Sequence, residues 1–428
     1  MNAQPAVAPR SSNLSSVMMI GLLFFIFGFV TWLNGPLITF VKLAFDLDDV
    51  NAFLVPMAFY LSYFFLALPA SWILKRTGMK KGMSLGLFVM SAGALAFGQF
   101  ATMRVYPGAL AGLFVIGAGL ALLQTAVNPY ISILGPIESA AQRIAVMGIC
   151  NKVAGILAPL MIGALVLRGI GDLADKVAVA DATTKEALLN DFAAKIHMPY
   201  LAMAVLLALL AVWVLRSSLP EIDPNEANAD GTDSGRRSTT RESVFAYPHL
   251  WLGVLCLFVY VGVEVMAGDA IGTYGQGFHL PLDETKFFTS FTLMAMLAGY
   301  VLGLLTIPKV ISQERFLAIS AVLGVVLSVG AYSTSGYVSV GFVAALGLAN
   351  AMMWPAIFPL AIRGLGRFTE LGSAFLIMGI AGGAIIPQLF AHLKGHYDFQ
   401  AVFCALMLPC YLYILYYAVR GHAAGRRV

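Results

Sequence analysis

The sequence predicts an all-α integral membrane protein in which twelve transmembrane helices form two six-helix bundles. Three observations support this fold class: only 11% of the 428 residues are charged, long apolar runs recur along the chain, and one polar stretch divides those runs into two sets of six. Soluble domains carry about 25% charged residues because their surface faces water. A chain with so little charge must expose most of its surface to a lipid bilayer.

Each of the twelve apolar runs is long enough for a helix to cross a bilayer core, which takes about 20 residues. The first six spans are predicted over residues 16–45, 50–74, 82–103, 107–134, 143–168 and 198–217. The second six spans are predicted over residues 249–275, 286–310, 315–335, 338–362, 370–395 and 400–420.

The most polar stretch of the chain, residues 217–243, separates the sixth span from the seventh. Its Asp, Asn, Ser, Gly and Arg residues give it the composition of a flexible linker. Two repeats of six spans are typical of transporters that hold their substrate between the halves near the middle of the bilayer. The predicted organisation is a tail over 1–15, a first bundle over 16–217, a linker over 218–245, a second bundle over 246–420 and a tail over 421–428.

The distribution of the 26 basic residues predicts the orientation of the chain. Most of them lie in the tails, the linker and the short loops on the same side, for example Lys75, Arg76 and Arg236. Several of those on the other side fall in one long loop between Arg168 and Lys195. Because short cytoplasmic loops are enriched in Lys and Arg, we expect both termini in the cytoplasm.

Several classes of function conflict with the sequence. The net charge of +4 is not gathered into the basic face that nucleic-acid binding requires. The cysteines Cys150, Cys256, Cys404 and Cys410 lack the spacing of a metal site, so we expect neither a metal nor a cofactor. The catalytic motifs of membrane-embedded hydrolases are missing, which argues against an enzyme, and a channel would show a repeated filter sequence.

Five motifs resemble a known family. The loop SWILKRTGMKK (71–81) is similar to the loop motif of the major facilitator superfamily, although Lys75 stands where that motif has Asp. The stretches FIFGFVTWLNGPLI (25–38), LQTAVNPYISILGP (123–136), WPAIFPLAI (354–362) and GSAFLIMGIAGGAIIP (372–387) are more specific. Together they resemble the fucose–galactose–glucose:proton symporter family, whose members include glucose/galactose and N-acetylglucosamine porters.

This resemblance implies that the chain imports a monosaccharide across a bacterial inner membrane, as a monomer, together with a proton or possibly a sodium ion. It also implies a cavity lined mainly by the first, fourth, seventh and tenth spans. The fucose-transporting members use an Asp on the first span and a Glu on the fourth, but Gly35 and Gln124 stand at those positions here. The fifth-span Asn of the family is present as Asn151.

A sugar site needs amides, hydroxyls and aromatic faces, and these must face a cavity or be paired inside the membrane. On the first span, Trp32 and Asn34 precede Gly35-Pro36, where the helix should break. On the fourth span, Gln124 and Asn128 share one helix face because they are four residues apart. The alternative for the first span is a purely structural kink. Gln124 and Asn128 could instead form hydrogen bonds between helices, and Asn128-Pro129 could set a bend towards the cytoplasmic gate.

The second half offers Asn350 and Trp354 on the tenth span and Gln388 on the eleventh as further sugar-binding candidates. Membrane tryptophans are commonly interfacial anchors, which is the alternative for Trp354. Tyr274 and Gln276, among glycines at the end of the seventh span, are predicted to form an external gate.

Three ionisable residues fall inside predicted spans: Lys152 on the fifth and Glu264 and Asp269 on the seventh. Charges at that depth are costly and normally have a partner or a function. We hypothesise that the two acids replace the missing family carboxyls in ion coupling, with Lys152 as their counter-charge. The alternative is a static buried ion pair. Sodium coupling, uncoupled diffusion and export of another small solute remain open alternatives at this point.

Overall fold

The computed structural model describes residues 14–133, 140–217, 243–307 and 309–425, and apart from short turns these ranges are helical. Side chains are described for the same residues except 14–17, 128–133, 140–144 and 367. Within the described ranges, twelve helices are long and apolar enough to cross a membrane. The predicted fold class of twelve transmembrane helices is therefore confirmed.

The first half contains six spans and two additional helices. Its helices are Leu14–Thr31, Asn34–Ala44, Asp49–Ala52, Leu54–Thr77, Met79–Thr102, Tyr106–Ile133, Ala140–Leu165, Ile170–Val179, Ala182–Ala194 and His197–Arg216. The additional pair, Ile170–Val179 and Ala182–Ala194, forms the segment between the fifth and sixth spans that the sequence predicted only as a loop. Asp181 begins the second of these helices, since its side chain accepts a hydrogen bond from the N–H of Thr184, as N-cap residues do.

The second half also contains six spans, several of them divided. Its α-helices are Pro248–Gly268, Ile271–Gln276, Leu282–Thr285, Phe288–Thr306, Gln313–Ser333, Gly336–Asn350, Met353–Ile362, Thr369–Met378, Gly382–Leu393 and Phe399–Val419. Short 3₁₀ turns lie at Val244–Ala246, Gly366–Phe368, Gly379–Ala381 and Gly421–Ala423.

Prolines explain the breaks in the first and tenth spans. The first span is interrupted at Trp32 and Leu33, one turn before Pro36, which has no N–H to donate to the carbonyl of Trp32 four residues earlier. The tenth span is interrupted at Ala351 and the following residue, again four residues before a proline, Pro355. The sequence predicted the first of these breaks, but placed it at Gly35-Pro36 rather than one turn earlier.

The seventh span breaks without a proline, at Asp269 and Ala270. Both N–H groups of these residues donate to the carbonyl of Val265, over 2.7 and 3.2 Å. The first, seventh and tenth spans are thus all discontinuous. Discontinuous helices at the depth of the membrane centre are a common feature of substrate and ion sites in transporters.

The two halves pack together mainly through the second span against the eleventh and the fifth against the eighth. We call the end of the bundle where Arg216 and Pro248 lie the linker end, and the opposite end, which holds residues 166–196, the loop end. Among the described residues, several polar interactions cross between the halves on this side, and four of them involve the outermost segments of the loop end. They join Lys394 to Asp49, Gln388 to the carbonyl of Val50, Lys286 to the carbonyl of Leu167 and Asp283 to the N–H of Gly171.

At the linker end, fewer polar interactions between described residues join the two halves. There, Lys75 and Glu370 form an ion pair of 3.2 Å between the halves, with 59% and 33% of their side chains exposed. An exposed pair of this kind contributes little, about 0–1 kcal/mol. The halves are therefore closed against each other at the loop end.

Candidate functional site

A cavity of about 120 Å³ lies between the two halves, on the linker-end side of the breaks in the first, seventh and tenth spans. At about 30 Å³ per water molecule in the liquid, this volume corresponds to about four waters, the scale of one small solute. Its polar and aromatic lining comes from both halves: Phe24, Phe27, Thr31, Trp32, Tyr60, Tyr63, Gln124, Asn151 and Lys152 from the first, and Tyr260, Glu264, Tyr300 and Trp354 from the second.

A buried ion pair crosses the cavity. The Nζ of Lys152 lies 3.0 Å from Oε1 of Glu264, and only 7% and 12% of the two side chains are exposed. The same Nζ lies 4.6 Å from the centre of the Trp32 ring and 6.0 Å from that of Tyr300, so the cation also contacts aromatic faces. The structure thus brings Lys152 and Glu264 together, as the sequence hypothesis requires.

Trp32 reaches the cavity because two glycines leave room for its ring. A Cβ atom at Gly155 of the fifth span would lie 2.5 Å from Cδ1 of Trp32, and one at Gly268 of the seventh span would also collide with the ring. The indole is therefore clamped between the two halves. Trp354 lines the cavity from the tenth span, and its ring stacks on that of Phe358 at 5.8 Å.

Amides and phenols form the polar wall of the first half. The Nε2 of Gln124 donates to the Tyr63 hydroxyl over 3.0 Å, with both groups buried. Asn151 is 7% exposed and lines the same cavity. Gln124 and Asn151, both predicted from the sequence, therefore lie where a solute in the cavity would contact them.

Four tyrosines that line the cavity were not among the sequence candidates: Tyr60, Tyr63, Tyr260 and Tyr300. Their spacing in the sequence is a signal that points to a shared helix face. Tyr60 and Tyr63 are three residues apart, and Tyr260 and Glu264 are four apart, so each pair shares one helix face. Because tyrosines are common in membrane spans, this spacing alone does not distinguish tyrosines that line a cavity from tyrosines packed between helices.

Asp269 lies deeper than the cavity, at the break in the seventh span, and it is 2% exposed. The Tyr60 hydroxyl donates to its Oδ2 over 3.3 Å. Its other oxygen, Oδ1, has no hydrogen-bond partner among the described residues, and the described salt bridges do not include this carboxyl. Asp269 is therefore a buried acid without a directly paired cation.

Gly35 of the first span packs against this acid. A Cβ atom at Gly35 would lie 3.4 Å from Oδ1 of Asp269 and 2.5 Å from Oγ1 of Thr289. The resemblance described above implies that the fucose-transporting members carry an Asp at the position of Gly35. A carboxyl of the seventh span thus lies beside the position at which those members have a carboxyl on the first span.

Three predicted sugar contacts lie away from the cavity lining. Asn34 is 1% exposed and its Nδ2 donates to the carbonyl of Thr31 over 3.1 Å. Asn350 is fully buried and its Oδ1 accepts a hydrogen bond from Tyr411 over 2.8 Å. Gln388 lies at the loop end, bonded to the carbonyl of Val50. Their sugar-binding roles stay predictions without support from this geometry.

The remaining sequence candidates are Asn128 and the two predicted gate residues. The side chain of Asn128 lies outside those that the structure describes. Tyr274 is buried within the second half, where its hydroxyl lies 2.7 Å from Oγ of Ser339 and its ring packs against Phe403. Gln276, at the end of the same short helix, is half-buried. The gate role of Tyr274 and Gln276 stays a prediction.

Comparisons with known proteins agree with this architecture. Residues 20–387 match the family model of the Major Facilitator Superfamily. The chain is 33% identical over 405 residues to the glucose/galactose transporter of Brucella abortus biovar 1 (strain 9-941), covering 94% of this chain and 92% of that protein. It is 29% identical over 377 residues to the L-fucose-proton symporter of Escherichia coli K12, covering 86% and 84%.

A solved structure shows the same fold. The crystal structure of FucP, the fucose:proton symporter of E. coli, in the outward conformation matches with a TM-score of 0.72 over 95% of this chain and 98% of FucP, at 24% identity. The predicted resemblance to the fucose–galactose–glucose:proton symporter family is confirmed by the similar sequences. These relatives are transporters and not enzymes. The chain belongs to the major facilitator superfamily.

Proposed function

We propose that this protein is a secondary active transporter that imports a monosaccharide together with a proton by alternating access. The candidate sugars are hexoses such as glucose, galactose and mannose, and N-acetylglucosamine. The observation that carries the proposal is a solute-sized cavity between the halves, at three discontinuous helices, lined by amides, phenols and indoles and adjoining a buried acid.

The chemistry of the cavity supports a neutral, hydroxylated solute. Gln124 and Asn151 supply amide donors and acceptors, and the tyrosines supply hydroxyls. The rings of Trp32 and Trp354 supply apolar faces on which the C–H face of a sugar ring can lie. Among the described residues that line the cavity, Lys152 is the one cation, and its charge is neutralised by Glu264. An anionic substrate would have to compete with Glu264 for that charge.

Proton coupling is supported by the environment of Asp269. A buried acid without a paired cation can alternate between a neutral and a charged form as it gains and loses a proton, which marks proton pathways in membrane proteins. Hard metal cations instead need a shell of several oxygen ligands. Among the described residues, the hydroxyl of Tyr60 is the oxygen bonded to Asp269, which favours a proton over sodium.

Of the two predicted acids, we assign the proton to Asp269 rather than Glu264. The Oε1 of Glu264 lies 3.0 Å from Nζ of Lys152, so this acid already has a cation as its partner. We assign the Lys152–Glu264 pair to the wall of the sugar site, where it holds Trp32 and offers carboxylate oxygen to sugar hydroxyls.

The basic residues that predicted the orientation lie at the linker end, for example Lys75, Lys80 and Arg216. Short basic loops face the cytoplasm, so we infer that the linker end is cytoplasmic, as are both termini. The cavity then lies on the cytoplasmic side of a closed external end. In this arrangement the protein is inward-facing, and transport requires the four loop-end interactions to break while the linker end closes.

The test is uptake into proteoliposomes of radiolabelled D-glucose, D-galactose and N-acetyl-D-glucosamine, each with and without an inward proton or sodium gradient. Accumulation of one sugar above its outside concentration under the proton gradient alone is expected. Equilibration without accumulation would show a uniporter, and accumulation driven by sodium alone would overturn the assignment to a proton.

Two variants then separate the acids. Asp269→Asn should abolish proton-driven accumulation while sugar exchange between equal concentrations continues. Glu264→Gln should raise the KM for the sugar but keep accumulation. The control is Asp175→Asn, which changes an exposed acid of the helix Ile170–Val179 at the loop end and should keep both accumulation and KM. If Asp269→Asn still accumulates sugar, the proposed site of coupling is wrong.

A further inference from the structure

Tyr60 occupies a position between the cavity and the buried acid. Its ring lines the cavity, whereas Asp269 does not belong to the lining residues. Its hydroxyl donates to Oδ2 of Asp269 over 3.3 Å, and both residues are 3% exposed or less. Among the described residues that line the cavity, Tyr60 is therefore the one that reaches the acid by a hydrogen bond.

This hydrogen bond also crosses from one half of the protein to the other. Tyr60 belongs to the second span and Asp269 follows the main helix of the seventh. The ring of Tyr60 lies against Gly383 of the eleventh span, where a Cβ atom would come within 3.1 Å of its Cγ. Because the halves move relative to each other in alternating access, the Tyr60–Asp269 bond exists only while this interface is closed.

Among the described neighbours of Asp269, the backbone of Gly35 also makes a polar contact with the carboxyl, so Tyr60 is its polar side-chain connection to the cavity. Gly35 of the first span and Thr289 of the eighth pack beside it without charge, and the Thr289 hydroxyl donates to the carbonyl of Gly268. The charged groups that act on Asp269 are Glu264 of its own span and Lys152 of the fifth span, which form an ion pair with each other.

We propose that Tyr60 is the positioning residue that couples the protonation of Asp269 to the sugar cavity and to closure of the external end. A charged Asp269 accepts the Tyr60 hydrogen bond strongly, which holds the halves together and fixes the phenol at the cavity wall. A protonated Asp269 has lost the charge that strengthens this bond, so the interface opens more readily towards the outside. This inference rests on the proposed proton coupling at Asp269.

Tyr63 provides a matched control on the same helix. Both tyrosines are buried and line the cavity, but the Tyr63 hydroxyl bonds to Gln124 and not to Asp269. Tyr60→Phe and Tyr63→Phe each remove one hydroxyl from the same wall. If Tyr60 acts in coupling, Tyr60→Phe changes the coupling of uptake to protons and Tyr63→Phe does not.

The experiment measures uptake of radiolabelled D-glucose by proteoliposomes across a range of pH, using N-acetyl-D-glucosamine instead if the wild-type protein transports that sugar. A hydrogen bond to a carboxylate favours its charged form, so its loss lets Asp269 keep its proton to higher pH. Tyr60→Phe should raise the pH of half-maximal uptake by about one unit or more, the size expected for a hydrogen bond to a charged group. Tyr63→Phe should raise KM and leave that pH unchanged.

Infrared difference spectra give a second measurement that a loss of packing would not change. The band of the protonated carboxyl that is absent from Asp269→Asn should move to higher frequency in Tyr60→Phe and stay in place in Tyr63→Phe. An unchanged pH midpoint and an unchanged band in Tyr60→Phe would overturn the inference, even where Asp269→Asn has lost accumulation. If Asp269→Asn itself accumulates sugar, the proposed coupling fails first, and this distinguishes the two failures.

Discussion

The Lys152–Glu264 pair allows a quantitative test of how the cavity is held together. Breaking a buried ion pair by removing one partner costs about 3–5 kcal/mol, because the other charge stays buried without compensation. The structure predicts that the two single variants differ. In Glu264→Gln, Lys152 keeps an amide acceptor and the Trp32 ring at 4.6 Å, a cation–π contact that contributes about 0.5–2 kcal/mol. In Lys152→Met, Glu264 loses its cation altogether.

We therefore expect Lys152→Met to cost about 3–5 kcal/mol of unfolding free energy, Glu264→Gln clearly less, and the double variant less than Lys152→Met alone. The assay is reversible denaturation of the purified protein in mixed micelles, analysed as a double-mutant cycle. The exposed pair Lys75–Glu370 is the matched control and should show an interaction of about 1 kcal/mol or less. Costs in the Lys152–Glu264 cycle that add within about 0.5 kcal/mol would refute the pairing.

Two further predictions concern contacts between the halves. Gly35→Ala should lower the transport rate and destabilise the protein by about 1–3 kcal/mol, the usual cost of overpacking, because its methyl group would lie 2.5 Å from Oγ1 of Thr289. Adding Thr289→Ala to this variant should restore part of the rate and part of the stability. If neither is restored, the contact with Thr289 is not the cause. Lys394→Met should favour opening of the loop end, because Lys394 joins Asp49 across the halves. The measurement is hydrogen–deuterium exchange, which should become faster in the loop-end parts of the first and seventh spans. Lys42→Met is the control, since Lys42 binds the same Asp49 from within the first half at 2.6 Å, and equal exchange in the two variants would contradict the role of Lys394.

The position of Asp269 suggests how a family member can lack the first-span carboxyl. Gly35 leaves the space that a side chain would fill, and Asp269 approaches that space from the seventh span. In the coupling proposed here, the acid belongs to another helix and to the other half of the protein, but it lies at the same interface. Such an acid can respond to opening and closing, because Tyr60 and Gly35, which contact Asp269 here, belong to the opposite half.

Much of this architecture follows from local features of the sequence. Apolar length alone determines the number of spans, because every membrane helix must cover the bilayer core, and the polar linker determines their division into six and six. Pro36 and Pro355 determine the breaks in the first and tenth spans, because a proline cannot bond to the carbonyl four residues earlier. The motifs of the first, fourth, tenth and eleventh spans identified the family without any tertiary information.

Only the tertiary structure decided which polar side chains share the cavity. Membrane helices are apolar on nearly every face, and small residues and hydrogen bonds rather than a hydrophobic stripe set their packing. Hydropathy therefore does not show which face turns inward. Asn34 and Asn350 form their hydrogen bonds away from the cavity, while Tyr60 and Tyr63 line the site. The meeting of Tyr60 with Asp269 joins positions 209 residues apart, a contact that exists only because the two halves pack face to face.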